Sequence, residues 1–146
     1  MEFLKWLSIT DRYTKIHLDR ELAPLGLNSS QHMYIIKICA EPGITQDRFV
    51  TNFYIHPSNI TRSIAYLETQ GFIRREPLRK DKRTYCLFPT EKGLAASKQI
   101  IDIQQAWYKR LLEDFSAEEQ RKFLEFINKA GIKAIYEVTK EIELED

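Results

Sequence analysis

Residues 72–88 interrupt a chain that otherwise reads as helix from one end to the other. Phe72-Ile73-Arg74-Arg75-Glu76 has strand composition, and so does Tyr85-Cys86-Leu87-Phe88. The link between them, Pro77-Leu78-Arg79-Lys80-Asp81-Lys82-Arg83, is charged and turn-forming. Together they predict one β-hairpin with a basic loop longer than a tight turn, set inside an otherwise α-helical chain.

Apolar spacing places the helices. Trp6, Ile9, Tyr13 and Ile16 recur at steps of three and four and predict a first helix over 3–22, stopped by Pro24 and Gly26. A second starts after Asn28 or Ser29, either able to cap it, with Met33, Ile36 and Ala40 as its stripe and Glu41-Pro42-Gly43 as its end. A short third helix is expected with Thr45 as N-cap and Phe49, Val50 and Phe53 inside. Pro57 suits the first turn of a fourth helix, which carries Ile60, Ile64 and Leu67 and closes at Gly71. Beyond the hairpin, Thr90-Glu91-Lys92-Gly93 opens a long helix with Leu94, Ser97, Ile101, Gln104, Tyr108, Leu111 and Phe115 as its seam. Ser116-Ala117-Glu118-Glu119 is a capping box, and Leu124, Ile127, Ile135, Val138 and Ile142 line one face of the final helix it starts.

With 146 residues, 43% of them hydrophobic, the chain can bury a core without staples, and two cysteines make no disulfide framework. Met1 to Ser8 lacks the pattern of a secretory signal and no stretch suits a membrane span, so a cytoplasmic, non-membrane protein is expected. No glycine-rich phosphate loop, nucleophile elbow or HExxH is present, and His, Cys and carboxylates show no metal-ligand spacing. No enzyme, no cofactor and no metal site are therefore expected. Net charge is only +1, but residues 44–93 hold nine basic and five acidic side chains while the last third of the chain is acidic. A basic middle marks a local contact surface for an anion.

Two short helices, a tight turn and a basic hairpin form the pattern of a winged helix-turn-helix. The fourth helix is short and polar on one face, so it fits a DNA major groove with its N-terminal side chains at base edges. Ser58, Asn59, Thr61 and Arg62 supply hydroxyl, amide and guanidinium groups there, and Arg62 is the strongest candidate for bidentate contact with guanine. Arg79, Lys80, Lys82 and Arg83 of the loop suit phosphates or a minor groove, with Asp81 and Arg83 expected to pair and stiffen it. Arg74 and Arg75 alternate across a strand, so only one of them faces a duplex easily, and Arg75 is the candidate.

Leu18-Asp19-Arg20-Glu21-Leu22-Ala23-Pro24-Leu25-Gly26-Leu27, Pro42-Gly43-Ile44-Thr45-Gln46, Ser58-Asn59-Ile60-Thr61-Arg62, Leu67-Glu68, Gly71-Phe72-Ile73, Asp81-Lys82-Arg83 and Leu87-Phe88-Pro89-Thr90-Glu91-Lys92-Gly93 follow one another at characteristic spacing. In that order the chain resembles the multiple-antibiotic-resistance regulator (MarR) family of bacterial transcription factors. The resemblance implies a mainly α fold with a small β-hairpin wing. It makes 1–28 and 94–146 a helical dimerisation region and 29–93 a winged helix-turn-helix DNA-binding domain, with Gln46 joining the DNA-contacting set. It also implies a homodimer on a palindromic operator of double-stranded DNA, acting as a repressor released by a small aromatic or phenolic effector. Tyr13, His17, His32 and Met33 are the candidates to line the effector's pocket. One departure is His56, just before the recognition helix, where the family often has an acidic residue and where His is a poorer N-cap. A different class of function, a winged-helix ligand-binding or protein-interaction module without DNA binding, would not need the basic middle segment.

Overall fold

The computed structural model describes residues 2–53 and 57–142. His56 and its capping role lie outside them. Helix α1 spans Phe3–Leu22 and ends in a 3-10 turn, Ala23–Leu25, which Pro24 enters at its start. Gly26 then takes the left-handed conformation, φ 73°, where a side chain would be strained. Helix α2 spans His32–Ala40, strand β1 Ile44–Thr45, helix α3 Arg48–Phe53 and helix α4 Pro57–Thr69. Strands β2 (Ile73–Pro77) and β3 (Tyr85–Pro89) form the hairpin, followed by α5 (Glu91–Leu111) and α6 (Ala117–Ile142). The result is the expected mainly α fold with a small wing.

Packing divides the chain into two compact units, Met1–Gln105 and Ala106–Asp146. In the first, Leu22, Tyr34, Ile35, Ile38, Phe49, Ile60, Ile64, Leu67, Phe72, Leu87 and Ile100 are almost completely buried in a single cluster. Tyr34 and Phe49 meet edge to face at 5.1 Å between ring centres, which ties α2 to α3. The second unit is the end of α5 and all of α6. Its capping box is as read: Ser116 N–H donates to Glu119 Oε2 at 2.8 Å and Glu119 N–H to Ser116 Oγ at 3.2 Å.

Four local expectations change. Asn28 caps a turn rather than a helix: its Oδ1 accepts the N–H of Ser30 at 2.9 Å, and α2 starts only at His32. Thr45 is not the cap of α3. Ile44 and Thr45 pair antiparallel with Leu87 and Cys86, so the hairpin is part of a three-stranded sheet of order β1-β3-β2. Gly43, at φ 90°, makes the bend and its N–H reaches Leu87 O at 2.7 Å. A two-residue strand has no periodicity to read, and its partner lies about forty residues on. The buried face of α5 is Gly93, Ala96, Ser97 and Ile100; of the expected seam Ser97 is on it, whereas Leu94, Ile101 and Leu111 are exposed and Phe115 lies beyond the helix. Small residues carry little apolar signal, yet they let α5 approach the backbone. A Cβ on Gly93 would lie 2.1 Å from the carbonyl oxygen of Phe72. Finally, Asp81 does not stiffen the loop through the Arg83 guanidinium. Its carboxylate accepts the Arg83 backbone N–H at 2.9 Å and the Thr84 hydroxyl at 3.1 Å.

Candidate nucleic-acid interface

Helix α4 is anchored from beneath and exposed on top. Ile60, Ile64 and Leu67 sit in the core, while Ser58, Asn59, Thr61 and Arg62 are exposed at its N-terminal end. Hydrogen bonds with other elements fix its position. Gln46, just before α3, donates from Nε2 to Thr61 Oγ1 at 3.0 Å. Tyr66 donates its hydroxyl to Gly26 O at 2.6 Å, which joins α4 to the corner after α1. Gln46 and Thr61, read separately as DNA contacts, are thus brought together as one polar pair.

The wing presents the second cationic group. Arg79, Lys80, Lys82 and Arg83 are exposed around the loop tip. The Asp81 bonds and two backbone bonds, Leu78 N–H to Thr84 O at 2.8 Å and Thr84 N–H to Asp81 O at 3.1 Å, give that tip a defined shape. The strands' own arginines are different. Arg75 donates from Nε and Nη2 to the two carboxylate oxygens of Glu68 on α4, at 2.8 and 2.9 Å, and lies 5.0 Å from the centre of the Tyr85 ring. Glu68 is held below the usual carboxylate range by the Arg75 hydrogen bonds, and Arg75 is raised by the same contact. Arg74 lies over the Phe88 ring at 4.5 Å and pairs with Glu76. Both arginines are therefore partnered within the protein, and strand alternation decides only which partner each takes.

Between the start of α3, the first turns of α4 and the wing lies a cleft of about 630 Å³. Gln46, Thr61, Arg75, Arg83, Thr84 and Tyr85 are among its lining residues. The arrangement is a polar helix face and a cationic loop on either side of one groove, a shape suited to a phosphate backbone and the base edges beside it.

The four effector candidates are not gathered in that cleft. Tyr13 is 59% exposed on α1, and His17, four residues on, is half-buried. Met33 packs against the core cluster. His32 is buried at the start of α2, with its Nδ1 lacking a hydrogen-bond partner. Burial lowers its pKa, opposed by the Ser29 and Asn28 carbonyls and by Asp19. Asp19 itself accepts the Ser29 N–H at 2.7 Å. Cys39 is half-buried with its Sγ 3.7 Å from Gly93 O, and burial pushes its thiol up, away from thiolate character; Cys86 is half-buried in β3. Among the described residues no three His, Cys, Asp or Glu are grouped to hold a metal ion, and no helix is long and apolar enough to cross a membrane.

Glu68 is the residue that sequence reasoning left without a role. The available signal was a carboxylate at the end of the recognition helix, a glycine three residues on and an arginine two residues into the next strand.

A helix pair whose second member offers a polar N-terminal face, beside a three-stranded sheet with a cationic wing, defines a winged helix-turn-helix protein. Residues 27–85 match the family model described as MarR family. The HTH-type transcriptional regulator YybA of Bacillus subtilis is 37% identical over 73 residues, so this similarity spans about half of each chain, 50% of this one and 49% of YybA. YwhA of the same organism, also an HTH-type transcriptional regulator, is 29% identical over 112 residues, 77% of this chain and 81% of YwhA. Among solved structures, a crystal structure of MarR superposes with a TM-score of 0.83 at 29% identity, covering 96% of this chain and 95% of that one. A MarR family transcriptional regulator from Listeria monocytogenes, crystallised with a 26-mer DNA, gives 0.85 at 26% identity, covering 91% and 89%. Residues 27–85 thus match a MarR family domain, and over most of its length the chain is similar to MarR family transcriptional regulators.

Proposed function

We propose that the protein is a homodimeric, sequence-specific DNA-binding regulator, a repressor that a small-molecule effector releases. The observation that carries DNA binding is the pairing of the exposed, polar N-terminal face of α4 with a shaped, cationic wing tip across one cleft. Arg79, Lys80, Lys82 and Arg83 neutralise phosphates, while Ser58, Asn59, Thr61 and Arg62 address base edges. The Listeria relative's complex with a 26-mer DNA supports the reading.

The dimer rests on apolar surface left over in the single chain. On α1, Phe3, Leu4, Trp6 and Leu7 are exposed, and on α6 so are Phe126, Ile132 and Val138. Stripes of that size on two helices favour burial against a second copy. In this reading 1–28 and 94–146 hold the two copies together, and two-fold symmetry sets the recognition helices one DNA turn apart, about 34 Å. An aromatic or phenolic effector, with Tyr13, His17, His32 and Met33 near it, releases DNA only by binding the two spacings with different affinity. The working compartment is the cytoplasm, on and off the chromosome.

Fluorescence anisotropy with a mixed-sequence duplex at low salt, run beside analytical ultracentrifugation, tests the core of this reading. Binding that weakens steeply with added salt, by a particle of two chains, is expected. A single-chain particle that ignores DNA would instead leave a winged-helix module for ligands or proteins.

A further inference from the structure

We infer that Glu68 and Arg75 act as a clamp that sets the wing against the recognition helix, and that Arg75 is a positioning residue rather than a phosphate contact. The inference rests on the DNA-binding reading above. Glu68 lies in the last turn of α4 and Arg75 in the middle of β2, seven residues later across the Gly71 turn. Two N–H donors of one planar guanidinium meet two oxygens of one carboxylate, at 2.8 and 2.9 Å. That two-point contact fixes orientation as well as distance, which a lysine cannot do. Tyr85 supports the other side of the guanidinium at 5.0 Å, and it stands opposite Pro77 at the end of the β2–β3 register, where the loop departs. The clamp therefore grips the hairpin at the base of the wing tip. With Glu68 taking two of its donors, Arg75 is poorly placed to serve a phosphate at full strength.

Charge arithmetic makes the inference testable, because two roles for the pair predict opposite signs. If Arg75 were a DNA cation merely masked by Glu68, Glu68→Gln would free it, remove a negative charge from the interface and tighten binding. If the pair is a clamp, Glu68→Gln loosens the wing, and the loop cations must be ordered on binding, which weakens it. The test is anisotropy, across a salt series, with the best-binding duplex recovered from a random-sequence pool. Glu68→Gln is expected to bind about tenfold more weakly, with a melting temperature close to that of the unaltered protein, because a half-exposed ion pair adds little to stability. Arg75→Lys, which keeps the charge but not the two-point contact, should fall similarly. Should Glu68→Gln fail to fold, Arg75→Lys carries the test alone. The reversed pair, Glu68→Arg with Arg75→Glu, should recover a substantial part of the affinity. Equal or tighter binding by Glu68→Gln, near-normal binding by Arg75→Lys, or no recovery by the reversed pair would overturn the clamp. Absence of DNA binding by the unaltered protein would overturn the DNA-binding reading instead, so the two failures are distinguishable.

Discussion

Gly93→Ala should destabilise the fold although it places a better helix former in a helix. Gly93 is in the first turn of α5, where alanine is worth up to about 1 kcal/mol over glycine. Against that stands geometry: an added Cβ would lie 2.1 Å from Phe72 O and 3.2 Å from Phe72 C, where contacts under 3.0 Å are not tolerated. Helix and strand must separate by about 1 Å, in a region where Ala96, Ser97 and Ile100 are buried, and overpacking of this kind costs about 1–3 kcal/mol. The same carbonyl accepts the Thr90 N–H at 3.1 Å and lies 3.0 Å from Thr90 Oγ1, which also caps the Gly93 N–H at 3.1 Å. Weakening these bonds adds about 1 kcal/mol each. The net loss is about 2–5 kcal/mol, a fall in melting temperature of roughly 4–20 °C for a chain of this length. Circular dichroism melts at matched protein concentration measure it. Gly71→Ala is the control: at φ 79° with nothing within 4 Å it meets backbone strain alone, about 1–2 kcal/mol. A Gly93→Ala protein that melts at or above the unaltered temperature would refute the close approach of α5 to Phe72.

Other outcomes follow from the same geometry. Arg62→Ala should weaken binding to the preferred duplex by about 1–3 kcal/mol and leave mixed-sequence DNA little changed, whereas Arg79→Ala should weaken both and flatten the salt slope by about 0.9; anisotropy at several salt concentrations separates the two. His32 has a pKa below its ordinary 6.5 in the folded chain, chiefly from burial, so it contributes stability above that value that is lost as the pH falls through 6.5 towards the lowered folded value. The unaltered protein should accordingly lose more melting temperature than His32→Gln between about pH 7.5 and pH 5.5; equal losses would show that the imidazole is not the titrating group. Ile127→Glu, on the exposed apolar face of α6, should shift the sedimenting species from two chains towards one without loss of helical signal, and a persistent dimer would move the interface elsewhere.

What could be read from the residues divides by the range of the force responsible. The long helices, the Ser116 capping box and the left-handed Gly71 are local, set by contacts within about four residues, and each is where periodicity and turn chemistry placed it. The polar face of α4 was legible for the same reason, since Ile60, Ile64 and Leu67 define its buried side and so expose Thr61 and Arg62. Contacts between distant segments left no periodic trace. Thr45 has a strand partner at Cys86 and Gly93 abuts Phe72, neither of which a window of eleven to eighteen residues can contain, and Gln46 spends its amide on Thr61, fifteen residues on and in a separate element. The arginines show the distinction most clearly. Arg75 and Arg79 are alike in sequence, both basic and both in the hairpin, and composition counts them equally towards a positive surface. Only the fold brings Glu68 within 2.8 Å of one and sets the other at the exposed tip. A charge count therefore finds a positive surface, but which of its cations are held by a partner within the fold and which stand exposed is decided by contacts between distant segments.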